Sequence, residues 1–179
     1  MKTFIREAKR SDLKSIQTIF NQGIEDRIAT LDTELRDTFY MEEWLEKHSG
    51  RYKVIVAEEE DKIVGFASLN PYSIRAAYNG VADLSIYVSR EGRGKGIGGI
   101  LLDEIERLAI NHDFYKIVLF TFPFNQLGQS LYRKKGYREV GVFQKQGILD
   151  GHFVDVMAME KILSEKIESY VLRSQTINT

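Results

Sequence analysis

The chain contains no cysteine, which excludes disulfides, thiolate metal sites and a cysteine nucleophile together. Imidazole is scarce as well. His48, His112 and His152 are the only histidines, and no two stand at a metal-binding spacing, so each reads as a surface or loop residue and no metal is expected. A Gly-x-Ser-x-Gly elbow is also missing: Ser130 follows Gly128 at the right distance, but Tyr132 occupies the place of the second glycine. An acyl transfer run by this chain would therefore pass directly from donor to acceptor. No apolar run approaches the about 20 residues that cross a bilayer, and the opening Met-Lys-Thr-Phe-Ile-Arg-Glu has no apolar signal core. The formal net charge is -1, and the basic residues are dispersed apart from Arg133-Lys134-Lys135, which leaves no stripe for nucleic acid. The expectation is a cytoplasmic protein without membrane or nucleic-acid partners.

What is present is ordinary in composition: 179 residues, 43% hydrophobic and 28% charged, enough for one globular domain with its own core. That domain is expected over residues 1–163, with 164–179 as a C-terminal tail, helical at first and frayed after about Ser174. Thr3 to Ala8 reads as a strand. Ser11-Asp12 then caps a helix whose apolar stripe is Leu13, Ile16, Ile19 or Phe20, and Ile24. Arg27 to Asp37 has no clear period, and Thr38 to His48 is a second helix ending at Ser49-Gly50. Lys53 to Glu58 and Lys62 to Leu69 form a hairpin around Glu59-Glu60-Asp61, and Asn70 to Gly80 is a polar loop. Tyr115 to Phe122, nearly all apolar, suits a strand buried on both faces. Asn125 to Lys135 is a further helix stopped by Gly136, and Tyr137 to Gln146 and Phe153 to Glu160 are two late strands.

The centre of this order is Val81 to Leu102. Leu84, Ile86 and Val88 alternate with Asp83, Ser85 and Tyr87 at the period of a strand, whereas Ile97, Leu101, Ile105 and Leu108 recur at helical spacing. Between them lies Arg93-Gly94-Lys95-Gly96-Ile97-Gly98-Gly99. Glycines admit a ligand close to the backbone, and the free amides of a helix's first turn favour an anion, so the stretch is a seat for phosphates. A P-loop would need Ser or Thr after Gly-Lys, and Gly96 stands there. The dinucleotide pattern GxGxxG is met by Gly94, Gly96 and Gly99, but the next strand ends Phe120-Thr121-Phe122 without the acidic residue that pattern requires. The remaining fit has Arg, two residues, Gly, one residue, Gly: Arg93, Gly96 and Gly98.

That last pattern resembles the pyrophosphate loop of the GCN5-related N-acetyltransferases (the GNAT superfamily), which bind acetyl-coenzyme A. A second signature, Asn125 followed by Tyr132 and closed by Gly136-Tyr137, resembles the superfamily's N-x-x-A-x-x-x-Y-x-x-x-G-F/Y segment. The implied fold is α+β, the acyl-CoA N-acyltransferase (GNAT) fold: a mixed, mostly antiparallel sheet with one parallel βαβ joint and helices on both faces. Within it the chain is most similar to the phosphinothricin acetyltransferases, which acetylate small acidic amino-acid analogues, over about residues 3 to 162. Their Phe-x-Thr-Glu loop appears as Leu31-Asp32-Thr33-Glu34, and their Pro-Trp-Lys-x-Arg-x-x-Tyr loop as Pro71 to Tyr78. Their Glu-Ser-Thr-Val-Tyr-Val strand appears as Asp83 to Val88. Leu31 replaces an aromatic, Ser73 a lysine, Asp83 a glutamate and Tyr132 a histidine. The absent lysine is a cation that would help hold an anionic acceptor.

The resemblance implies acetyl-coenzyme A as co-substrate and an amine acceptor, and it leaves a homodimer open. It implies that Ile86, Tyr87 and Val88 line the acetyl end of the coenzyme, with a backbone amide of Tyr87 or Val88 holding the oxyanion. Asn125 would meet the pantetheine arm. Arg93 and Lys95 would neutralise pyrophosphate over the amides of Gly94, Gly96, Ile97 and Gly98. Asp83 takes the place of the catalytic glutamate, or else only orients Arg75 or a backbone amide. Tyr132 is the phenol beside the sulfur, or else a core tyrosine next to Leu131. Leu31, Glu34, Arg75 and Tyr78 are the substrate-binding candidates; Arg75 could grip a carboxylate with two hydrogen bonds or be a plain surface arginine. Arg133, Lys134 and Lys135 are read as compensating a helix dipole. The acceptor is expected to be a small amino-acid-like amine. A peptide N-terminus or polyamine, or a non-catalytic module that binds the coenzyme, are the alternatives.

Overall fold

A computed structural model describes residues 2–164; the expected tail beyond Ser164 lies outside the described residues. Strands β1 (Phe4–Glu7), β2 (Val54–Glu59), β3 (Lys62–Pro71), β4 (Val81–Val88), β5 (Lys116–Thr121), β6 (Arg138–Leu149) and β7 (His152–Ile162) are joined by helices α1 (Leu13–Glu25), α2 (Thr38–Lys47), α3 (Ile97–Asn111) and α4 (Gln126–Lys134). The strands form one seven-stranded sheet in the order β1-β2-β3-β4-β5-β7-β6. All neighbours are antiparallel except β4 and β5, which α3 connects as a crossover unit.

The period-two pattern of the strands divides the core between the two faces. Ile55 and Ala57 of β2, Ala67 and Leu69 of β3, and Ala82 and Leu84 of β4 pack against Ile97, Leu101, Leu102 and Ile105 of α3. Their neighbours Val54, Val56 and Phe66 pack the other way, against Ile16, Ile19 and Phe20 of α1 and Met41 of α2. Helices therefore cover both faces.

Three local readings are corrected. The α1 helix is not capped by the Asp12 side chain. Arg6 takes that carboxylate at 2.7 and 2.9 Å, it also accepts from the Lys9 amide, and a short 3-10 turn at Arg10–Asp12 leads into the helix instead. The β5 strand is not buried on both faces throughout, since Phe120 is 43% exposed. The β6 and β7 strands are longer than expected and meet at Asp150-Gly151, with Asp150 at φ 49° and Gly151 at φ 80°.

The departure that matters lies between β4 and β5. Their parallel pairing extends only over Val81↔Lys116, Ala82↔Ile117 and Asp83↔Val118, while β4 continues to Val88 against β3. Beyond Asp83 the two strands part. The β5 side of residues 84–88 then opens onto a cleft instead of a ladder, and this exposes Phe120.

Candidate active site

Two cavities lie along the opened edge of β4. The smaller, about 170 Å³, is lined by Ala29, Thr30, Leu31, Asp83, Leu84, Ser85, Tyr87, Phe120, Thr121, Phe122 and Val156. The larger, about 420 Å³, runs from Ile86, Tyr87 and Val88 over Arg93, Gly94, Gly96, Ile97, Gly98 and Gly99 to Asn125 and Tyr132. Ala29 and Tyr87 line both, so the two spaces meet at those side chains. Tyr87 can lie there because α1 has a glycine opposite: a Cβ on Gly23 would stand 2.8 Å from its ring.

The glycine loop has the form an anion site requires. Gly94 and Gly96 have φ of 74° and 84°, and a Cβ at either would meet nothing within 4 Å, so these positions need glycine for backbone conformation. Gly96 is the N-cap of α3 and has no side chain to satisfy the helix's first amides; those donors face the larger cavity unpaired by a cap. The cations around it divide differently from the sequence reading. The Arg93 guanidinium is held 2.6 Å from Asp26 and 3.3 Å from the Val88 carbonyl oxygen, and Arg90 reaches the same Asp26 at 2.7 Å. These guanidinium hydrogen bonds hold the Asp26 carboxyl below its usual range. Arg93 thus pins the loop to the end of α1. Lys95 is exposed. Of the run on α4, Arg133 pairs with Glu139 and Lys135 with Asp103, whereas Lys134 lines the larger cavity.

Asn125 is the N-cap of α4. Its Oδ1 accepts from the Gly128 amide at 3.0 Å, and its Nδ2 donates to Thr121 at 3.3 Å. Gly128 belongs to that cap, because a Cβ there would approach Asn125 Nδ2 to 2.7 Å. One turn later Tyr132 lines the larger cavity and packs beside Tyr137 at 5.8 Å between ring centres. Burial first, and then the charge of Asp83, push its phenol up to about 12. At neutral pH it is a proton donor and not a base.

Asp83 lines the smaller cavity. Burial raises its carboxyl to about 6, against the opposing pull of hydrogen bonds from the Asn70 side chain and the Leu84 amide. A carboxylate with that value is ionised at neutral pH and is a far better base than a solvated aspartate.

The four substrate candidates are not brought together. Leu31 lines the smaller cavity, but Glu34, Arg75 and Tyr78 line neither. Arg75 is exposed on the loop from β3 to β4, beyond the Asn70↔Asp83 pair, and Tyr78 packs edge-on against Tyr72 at 5.5 Å. Sequence reasoning missed Ala29 and Thr30, which sit in the stretch without a period; a 12-residue connection from Asp26 to Asp37 is itself long enough to suggest function. It also missed Lys134, Phe120 and Asn70. Among the described residues no group of His, Asp and Glu could hold a metal, and no helix is long and apolar enough to cross a membrane.

The glycine-capped helix and the cleft beside β4 lie where the resemblance to the GNAT superfamily implies an acetyl-coenzyme A site. The chain belongs to the Acetyltransferase (GNAT) family, whose profile matches residues 14–137, and it is an N-acetyltransferase by that membership. It is 33% identical over 161 residues to a Bacillus subtilis (strain 168) protein provisionally named a phosphinothricin acetyltransferase, covering 89% of this chain and 99% of that one. It is 25% identical to the L-methionine sulfoximine/L-methionine sulfone acetyltransferase of Pseudomonas aeruginosa, over 89% of this chain and 94% of the relative. Among solved structures, a phosphinothricin acetyltransferase from Sinorhizobium meliloti in complex with acetyl-CoA superposes with a TM-score of 0.87 at 28% identity, covering 92% of this chain and 90% of that one. The expected GNAT fold is thereby established.

Proposed function

We propose that this N-acetyltransferase moves the acetyl group of acetyl-CoA directly to the amine of a small amino-acid-like acceptor. The observation that carries the reading is the meeting of the two cavities at Ala29 and Tyr87, with Asp83 lining one and Tyr132 the other. The relatives named for phosphinothricin and methionine sulfoximine support the acceptor class, and the acetyl-CoA complex supports the donor.

In this reading the amides of Gly94, Gly96, Ile97 and Gly98 hold the pyrophosphate, Lys95 and Lys134 add charge, and Arg93 fixes the loop through Asp26. The thioester reaches along Ile86 to Val88, and a backbone amide of Tyr87 or Val88 receives the oxyanion. An amine with a pKa of about 10 is almost wholly protonated at neutral pH. Asp83 takes that proton. The neutral nitrogen then attacks the acetyl carbon, the carbon–sulfur bond breaks, the leaving thiolate takes the Tyr132 hydroxyl proton, and the second proton that the nitrogen sheds in becoming an amide returns to that phenol. Leu31 and Phe120 bound the acceptor's apolar part, and Arg75 and Tyr78 serve acceptors whose acid group extends toward the β3–β4 loop.

Release of free thiol from acetyl-CoA tests the function on a panel of amino acids, methionine sulfoximine and phosphinothricin, a polyamine and a peptide with a free N-terminus. Turnover is expected to be highest with the amino-acid analogues. Preference for the peptide or polyamine would overturn the acceptor class, and silence with every amine would overturn transfer. Tyr132→Phe removes only the hydroxyl. With the best acceptor it is expected to lower kcat by roughly a hundredfold or more while the acetyl-CoA Kd from calorimetry holds. Wild-type turnover in that variant would return Tyr132 to core packing.

A further inference from the structure

On the sheet face that carries α1 and α2, apolar packing gives way to a line of polar side chains leading from the end of α2 to Asp83. His48 is the C-cap of α2, and its ring centre lies 4.5 Å from that of Trp44. Its Nδ1 is 2.7 Å from the Trp44 carbonyl oxygen, and its Nε2 is 2.8 Å from Oδ1 of Asn70. That Oδ1 also accepts from the Ser68 hydroxyl at 3.1 Å. On its other side, Asn70 Nδ2 donates to the Ser85 hydroxyl at 3.0 Å and to Oδ2 of Asp83 at 3.3 Å.

Donor counting fixes the protons. The Trp44 carbonyl oxygen can only accept, so His48 Nδ1 carries a hydrogen. In this orientation Asn70 Oδ1 can only accept, so Nε2 donates to it. Turning the Asn70 amide over would let a neutral His48 accept from its NH₂ group. The amide oxygen would then face the Asp83 carboxylate, acceptor against acceptor, unless that carboxyl were protonated. The orientation of Asn70, the hydrogen on His48 Nε2 and the ionisation of Asp83 are thus linked.

We infer that His48 is a positioning residue for Asp83, holding the Asn70 amide with its NH₂ group toward the carboxylate and so favouring the ionised base. The inference rests on the proposed role of Asp83 in taking the amine's proton. The other titratable groups that face Asp83 are the phenols of Tyr87 and Tyr132, both raised by burial and neutral at physiological pH. Beside His48 on α2, Lys47 is 4.0 Å from Glu43. Because burial already lifts the Asp83 carboxyl to about 6 with the Asn70 donor in place, losing a fixed donor lifts it further.

The test compares pH profiles of kcat and kcat/KM for the wild-type enzyme, His48→Ala, His48→Gln and Asp83→Asn, with thermal melts alongside. In His48→Ala the acid limb is expected to move up by about one pH unit and kcat to fall about tenfold near pH 5 but only about twofold near pH 7, with KM for acetyl-CoA unchanged. His48→Gln supplies a neutral amide that can still donate to Asn70 Oδ1, and it is expected to recover most of the turnover and move the limb back. Nitrogen NMR of the His48 ring should show a hydrogen on Nε2, donated to Asn70 Oδ1, in the wild type. An Nε2 that carries no hydrogen in the wild type overturns the inference. So does a loss of rate that is uniform across pH in both His48 variants. If Asp83→Asn abolishes the acid limb while neither His48 variant moves it, the role of His48 fails and that of Asp83 stands. A normal acid limb in Asp83→Asn removes the proposed base, and His48's role with it.

Discussion

Asp83→Asn is expected to lower kcat by roughly a hundredfold or more and to remove the acid limb expected of the wild-type enzyme near pH 6, because an amide cannot take the amine's proton. The sign follows from the direction of the shift. Burial raises the carboxyl to about 6, so the active, ionised form is lost as pH falls through that value. The same shift makes a stability prediction of opposite sense. In the unfolded chain the carboxyl titrates near about 3.9, so the folded state binds this proton more tightly. The stability this gives is fully present below about pH 4 and is lost as pH rises through about 6. Above that range the wild type holds a desolvated carboxylate that the asparagine variant lacks. Asp83→Asn is therefore expected to melt higher than wild type, by about 1–3 kcal/mol at pH 7.5 and by little at about pH 4, while turning over far more slowly. A carboxylate that merely braced the sheet would give the reverse, a variant that melts lower. Paired melts and rate profiles decide between them.

How much of this could be read from the sequence depended on the range of the interaction. The change from period two in Leu84, Ile86 and Val88 to helical spacing in Ile97, Leu101 and Ile105 lies within one continuous stretch, with glycines marking the boundary, so β4, the loop and α3 were legible to within a residue or two. The same holds for α1, α2 and the β2–β3 hairpin. Contacts made across the fold were hidden. Asp12 looked like a helix cap because its neighbours are helical, yet a bidentate guanidinium from β1 outcompetes the backbone for it. Arg93 matched a phosphate-binding pattern, but Asp26, far away in the chain, takes its charge. Lys134 looked like a partner for a helix dipole until the helix was placed beside the cleft. For His48 a signal did exist. Ser68 and Asn70 alternate with Ala67 and Leu69 in a strand packed between helices, and Ser68 is only 1% exposed. Polar residues at core positions need partners, and a search for them would have led from Asp83 across Asn70 to the histidine. The splay of β4 from β5 has no counterpart in any local pattern, since Phe120 is as apolar as its buried neighbours.

Gly96→Asp is expected to weaken acetyl-CoA binding by at least about a hundredfold, because two independent requirements meet at that residue. The first is conformational: φ is 84°, a region that costs a side-chain-bearing residue about 1–2 kcal/mol, less for Asp and Asn. The second is electrostatic. As the N-cap of α3, Gly96 brings the backbone close to any anion on the helix amides, and a carboxylate there opposes the pyrophosphate and competes for the same donors. Space alone is not limiting, since a Cβ at this position meets nothing within 4 Å, so the domain should still fold. Gly96→Asn separates the terms: it has the same size and nearly the same backbone tolerance without the charge, and it is expected to weaken binding only about tenfold. Calorimetric titration of acetyl-CoA into both variants, with melts to confirm folding, gives the comparison. Equal losses in Asn and Asp would assign the site to backbone shape instead of anion binding, and unchanged affinity in the folded Asp variant would remove the pyrophosphate from this loop and place the coenzyme elsewhere on the protein.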